Sequence, residues 1–89
     1  MNASKLVIYV AIAETLFRKG PLAAPKIEEE TGIEPILIGK CLDFLVNQGI
    51  IAQKTSKKNM AVYEITQRGI RILRYFKKFA DTKLPSSGI

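Results

Sequence analysis

Residues 37–73, LIGKCLDFLVNQGIIAQKTSKKNMAVYEITQRGIRIL, contain a helix, a turn-linked pair of strands and the start of a second helix. Ile38, Cys41, Leu42 and Leu45 recur at spacings of three and four, so they share one face at 3.6 residues per turn. Gly49 follows where a helix needs a residue free to turn left-handed. Ile50, Ile51 and Thr55 on one side of Ser56-Lys57-Lys58-Asn59, and Val62, Tyr63 and Ile65 on the other, form two β-prone runs about a polar turn. Thr66 can then cap a helix that carries Ile70, Leu73, Phe76 and Ala80 at helical spacing.

The motif LxxxGII at Leu45–Ile51 and the run YEITQRGIRIL at Tyr63–Leu73, a form of Y-x-L-T-x-x-G-x-x-L-L, resemble those of small winged helix-turn-helix proteins. The resemblance is closest to the archaeal transcription regulators and nucleoid proteins that dimerise through a C-terminal helix. It covers roughly residues 4–81, and the motifs carry the fold rather than the target. It implies a mainly α fold with a small β-hairpin, a recognition helix in the DNA major groove, a wing on the backbone and a homodimer.

Working outward, the first helix should run from about Ser4, as N-cap, to Arg18, before Gly20-Pro21. It is apolar nearly all round, broken only by Glu14, Thr15 and Arg18, as expected of a helix buried on more than one side. Leu22 to Ala24 is long enough only for an edge pairing with the ribbon. Pro25 suits the first turn of a second helix ended by Gly32, and Pro35 the first turn of a third. The order is helix, short edge pairing, helix, helix, strand, wing, strand, helix. The last helix should span about 67–83, giving one domain over residues 1–84 and a frayed tail at 85–89.

Eighty-nine residues fit one domain, and no apolar run approaches the roughly 18–20 residues needed to span a bilayer. Lys5 and the apolar run from Leu6 to Ala13 make a poor export signal, because the run continues amphipathically through Arg18. A cytoplasmic, nucleoid-associated protein without a membrane role is expected. The sequence holds one cysteine and no histidine, which excludes an internal disulfide, thiolate–imidazole pairs and histidine-based triads. Cys41 falls among apolar neighbours and reads as a small buried hydrophobe. The consecutive acids Glu28–Glu30 point about 100° apart, so they cannot converge on a metal. No enzymatic activity, metal or cofactor is implied.

The charge is lopsided. Residues 1–49 hold five Lys or Arg against six carboxylates, net −1, whereas residues 50–89 hold nine against two, net +7. Basic density concentrated in this way is the footprint of a polyanion binder, and double-stranded DNA is the expected partner. At the wing, Lys54, Lys57 and Lys58, with Ser56 and Asn59 as neutral donors, either contact phosphates or form a solvated turn. On the third helix, Ile36, Leu37, Lys40, Asp43, Phe44 and Asn47 are the candidates for DNA contact. Only Lys40 and Asn47 readily suit base edges, and Ile36 and Leu37 suit thymine methyl groups or a protein of the transcription machinery. Thr31 and Lys26 could add phosphate contacts, against the opposing charge of Glu28, Glu29, Glu30 and Glu34.

For dimer formation the candidates are Ile8, Ile12, Ile72, Leu73, Phe76, Phe79 and Ala80. On the last helix Ile72, Leu73, Phe76, Phe79 and Ala80 cover an arc of about 120°, opposite a basic stripe of Arg71, Arg74 and Lys78. That arc either packs wholly on the first helix of its own chain or forms half of a seam between subunits.

Overall fold

A computed structural model describes residues 5–87, with side chains as far as Lys78. Its elements are α1 (Lys5–Lys19), α2 (Ala24–Thr31), α3 (Pro35–Asn47), β1 (Ile51–Thr55), β2 (Ala61–Ile65) and α4 (Gln67–Ser87). Each boundary follows from local chemistry. Gly20 at φ 85° ends α1 and Gly32 at φ 73° ends α2, both in the left-handed region open to glycine. Prolines open α2 and α3, where a missing N–H removes no intrahelical bond. The C-terminus of α3 is a double closure, with Ile50 N–H on Leu45 O and Gly49 N–H on Val46 O, each at 3.0 Å. The cap expected at Ser4 lies outside the described residues. Helix α4 continues past Lys83 to Ser87, through Pro85, where the sequence places a tail; proline's fixed φ is itself helical, so the turn can continue at the loss of one N–H bond.

The sheet is the antiparallel pair β1–β2, in register from Ile51 opposite Ile65 to Thr55 opposite Ala61. Leu22 adds a single bridge to Tyr63, its N–H donating to Tyr63 O at 3.0 Å and its carbonyl accepting Tyr63 N–H at 2.8 Å. This is the edge pairing expected before α2, and it ties the helical half to the ribbon.

The core is Ile12, Leu16, Ile27, Ile38, Cys41, Leu42, Leu45 and Ile51, drawn from α1, α2, α3 and β1. The periodic face of α3 therefore points inward as its spacing requires. Cys41 is buried, and desolvation pushes its thiol above the ordinary value of 9.0, against an opposing pull from Lys5. Thr15, read from the sequence as a break in the apolar surface, is buried with its hydroxyl donating to Ala11 O at 2.8 Å. That bond removes the cost of burying an unpaired polar group. Ile12 and Leu73, candidates for the dimer surface, are 0% and 3% exposed, so both are covered largely by their own chain. Helix α1 is apolar nearly all round and Ile12 serves its inner side, while Leu73 lies at the inner edge of the apolar arc of α4.

The start of α4 is fixed by two residues of the YEITQRGIRIL run. Thr66 Oγ1 lies 2.6 Å from Gly49 O and 3.0 Å from Ile50 O, to which it donates, and accepts Gly69 N–H at 2.9 Å. Gly69 packs so tightly that a β-carbon there would stand 2.8 Å from Ile65 Cγ1 and run into the Ile50 carbonyl. The LxxxGII and T-x-x-G motifs are thus the two sides of one joint. Arg68 secures it further by donating from Nε to Gln48 O at 3.0 Å. The chain has the winged helix-turn-helix arrangement.

Candidate nucleic-acid interface

With Ile38, Cys41, Leu42 and Leu45 in the core, α3 turns Ile36, Lys40, Asp43 and Asn47 outward together, all exposed. Ile36 is 71% exposed at the N-terminal end. The face also contains Gly39, which the sequence reading passed over; nothing lies within 4 Å of where its β-carbon would stand. An open, side-chain-free step on an outward helix face admits a close neighbour, and its exposure at helical spacing from Asp43 is the signal that finds it.

Two of the candidate α3 residues are placed elsewhere. Phe44 turns to the flank and stacks on Tyr9 of α1, ring centroids 4.6 Å apart and planes 14° from parallel. Leu37 is half-buried against the core. Both sit on the side of the helix that meets its own chain, because a two-flanked helix wedged between α1 and the ribbon buries more than a single row.

The wing tip is a built turn. Ser56 N–H donates to Met60 O at 2.8 Å, and its Oγ accepts Lys58 N–H at 3.3 Å and Met60 N–H at 3.2 Å. Asn59 takes φ 61°, a left-handed conformation that asparagine tolerates. Ser56, a candidate contact residue, is thereby used as a staple for the turn. Lys54 is committed too, in an ion pair with Glu64 across the ribbon. Lys57 and Lys58 are exposed at the tip and make no ion pair among the described residues.

Around α2 the acids are partly answered. Lys19 reaches Glu30 at 3.4 Å, and Lys26 reaches Glu29 at 3.5 Å and Glu30 at 3.9 Å. Thr31 donates to Ile27 O at 2.7 Å and accepts Ile33 N–H at 3.3 Å, so its hydroxyl shapes the turn before α3.

Behind α3 an apolar groove of about 270 Å³ runs between α1 and α4, with Leu6, Tyr9, Val10, Phe44, Ile72 and Phe76 among its walls. Ile8 is half-buried against the core rather than in this groove. Of the dimer candidates, Ile72, Leu73 and Phe76 line it, and the side chains of Phe79 and Ala80 lie outside the described residues. Leu6 is 49% exposed at the groove's rim. Lys77 on α4 meets Glu14 on α1 at 3.1 Å and holds the two helices together beside it. No helix among the described residues is long and apolar enough to cross a membrane.

A family model described as winged helix-turn-helix matches residues 3–84. The chain belongs to the winged helix-turn-helix family. Among solved structures, this winged helix is similar to the reduced form of MarR from E. coli, at TM-score 0.81 and 11% identity over 90% of this chain and 60% of that one. It is also similar to a MarR family transcriptional regulator from Silicibacter pomeroyi, at TM-score 0.78 and 16% identity, covering 88% of this chain and 54% of that one. A third is the Zalpha domain of Carassius auratus PKZ in complex with Z-DNA, at TM-score 0.64 and 17% identity, covering 72% of this chain and all of that one. The winged helix here thus spans little more than half of the MarR-type chains, and identities this low speak to the fold alone. No curated protein sequence matches it.

Proposed function

We propose that this winged-helix protein is a homodimeric DNA-binding regulator of transcription. Its α3 enters the major groove with Ile36, Lys40 and Asn47 toward the bases, and Lys57 and Lys58 grip phosphates beside it. The observation that carries the reading is the wing tip: two exposed lysines with no ion pair among the described residues, held on a turn stapled by Ser56, with Asn59 in the left-handed conformation. Ammonium groups fixed in this way neutralise phosphates and release counterions, so affinity should fall steeply with salt. The likeness to MarR-type regulators and to a domain solved with Z-DNA supports the same class of partner. The groove between α1 and α4 supports a second copy as its cover, and two α3 helices related by a two-fold axis should face half-sites about one helical turn apart. Fluorescence anisotropy on duplex DNA across a salt series tests the reading. No binding even at low salt would refute it.

A second reading rests on Ile36, whose 71% exposure on a helix face also fits a protein partner in the transcription machinery. Because Leu37 is half-buried, Ile36→Asp is the clean probe. Unchanged DNA affinity together with loss of a specific protein partner would favour this second reading. Selection of bound sequences from random duplexes separates a regulator, which enriches a palindrome, from a general nucleoid coater, which enriches nothing.

A further inference from the structure

Two arginines on the outward face of α4, Arg71 and Arg74, take no part in the joint, the core or the interface above. Between Gln67 and Lys78 this helix carries Arg68, Arg71, Arg74, Lys77 and Lys78 and no carboxylate. Arg68 is turned to Gln48 O and Lys77 to Glu14, both structural contacts. Arg71 and Arg74 are exposed and make no ion pair among the described residues, and Tyr75 beside them is 68% exposed. Arg71 and Arg74 follow one another at i and i+3, on the side of the helix opposite Ile72 and Phe76, which line the groove.

We propose that this stripe is a second phosphate-binding surface that takes a second DNA duplex, so that the protein bridges two duplexes. The proposal rests on the DNA-binding reading and adds a site to it. Arg71 and Arg74 stand about one helical turn apart, a rise of ~4.5 Å, so their long side chains can reach neighbouring phosphates of one strand. Guanidinium groups present paired donors that match phosphate oxygens, and the exposed Tyr75 hydroxyl adds a neutral donor. The case for a separate duplex is the placement of the stripe on its own element. Strand β2 leads away from the wing tip to the Thr66 joint, about 16 Å along the ribbon, and Arg74 stands about 12 Å further along α4 from that joint. The stripe thus lies on a different element from the tip, beyond the joint that ends the ribbon. A membrane surface is the poorer partner, because Leu73 is buried and Ile72 and Phe76 face the groove, leaving no apolar side of the described helix to enter lipid.

The test is a two-duplex capture: one short duplex on beads, a second, labelled and soluble, with protein added at about 50 mM salt. Anisotropy on a single short duplex is read in parallel. Wild-type protein should capture the second duplex. Arg71→Glu with Arg74→Glu should cut capture at least about tenfold while single-duplex affinity changes less than about twofold; the milder Arg71→Gln with Arg74→Gln should fall between, with circular dichroism unchanged. An equal loss in both assays would assign the stripe to the duplex already held by α3 and the wing, and overturn the proposal. Capture that survives both substitutions overturns it as well, as would a variant whose only loss is binding to phosphatidylserine vesicles. Failure of wild type on the single duplex would instead sink the DNA-binding reading itself.

Discussion

Gly69 is the residue on which the joint between ribbon and α4 turns. Its place is set by contact, since a β-carbon would collide with the Ile50 carbonyl and crowd Ile65. Gly69→Ala should therefore destabilise by about 2–3 kcal/mol, the usual penalty for overpacking, and lower the melting temperature by roughly 10–20 °C in a domain of this size. Thr66→Ala removes the cap and the bond to Gly49 and Ile50 carbonyls without adding bulk, and should cost about 1–2 kcal/mol. If Gly69→Ala melted like wild type in calorimetry, the tight joint described here would be wrong. Cys41 gives a pH signature at the same scale. Its thiol is raised in the folded state, so folded protein holds the proton where unfolded chain has lost it. Stability should be unaffected by this group below about pH 9 and fall as pH rises beyond it. A thiol reagent should modify Cys41 only as fast as the protein opens, and rapid modification of native protein would contradict its burial.

Among the elements, the wing and α3 divide the proposed DNA contact between them. Replacing Lys57 and Lys58 with Ala should lower affinity for every duplex alike and reduce the slope of log K against log salt by about 2 per wing, near 0.9 for each phosphate neutralised. Lys54→Ala should change that slope far less, because Lys54 is held by Glu64; equal effects from all three lysines would mean that the pair opens on binding. This difference marks how far the sequence could be read. The inward face of α3, the Gly49 stop, the ribbon and the Thr66 cap were legible because periodicity and capping are local properties of neighbouring residues. The edge bridge at Leu22 was legible as well, since a segment that short had no other way to pair. Partnerships between distant positions were not. Nothing in the spacing of Phe44 reveals that Tyr9 will lie beneath it, and nothing in Ser56 says that its hydroxyl will staple the turn. The same blindness affected Ile12 and Leu73: an apolar face declares that something covers it, but not which of its residues the same chain will cover.

At the scale of the whole molecule, the groove between α1 and α4 decides what kind of binder this is. A small domain buries its apolar surface incompletely, and here part of what stays uncovered forms a groove flanked by Leu6, Tyr9, Ile72 and Phe76. A second copy laid across it would continue the core and set two α3 helices at a fixed separation, which turns two weak half-site contacts into one linked event. Leu6 tests this without endangering the fold, being 49% exposed at the rim. Wild type should sediment as a dimer at micromolar concentration and Leu6→Glu as a monomer with an unchanged circular dichroism spectrum. On a duplex bearing two half-sites the variant should bind at least about a hundredfold more weakly, whereas on a single half-site the two proteins should be equal, because linkage is lost and no contact is. A wild-type monomer would mean that the groove closes within one chain. Equal losses on both duplexes would mean that Leu6 supports α3 directly, and the two-fold arrangement would have to be abandoned.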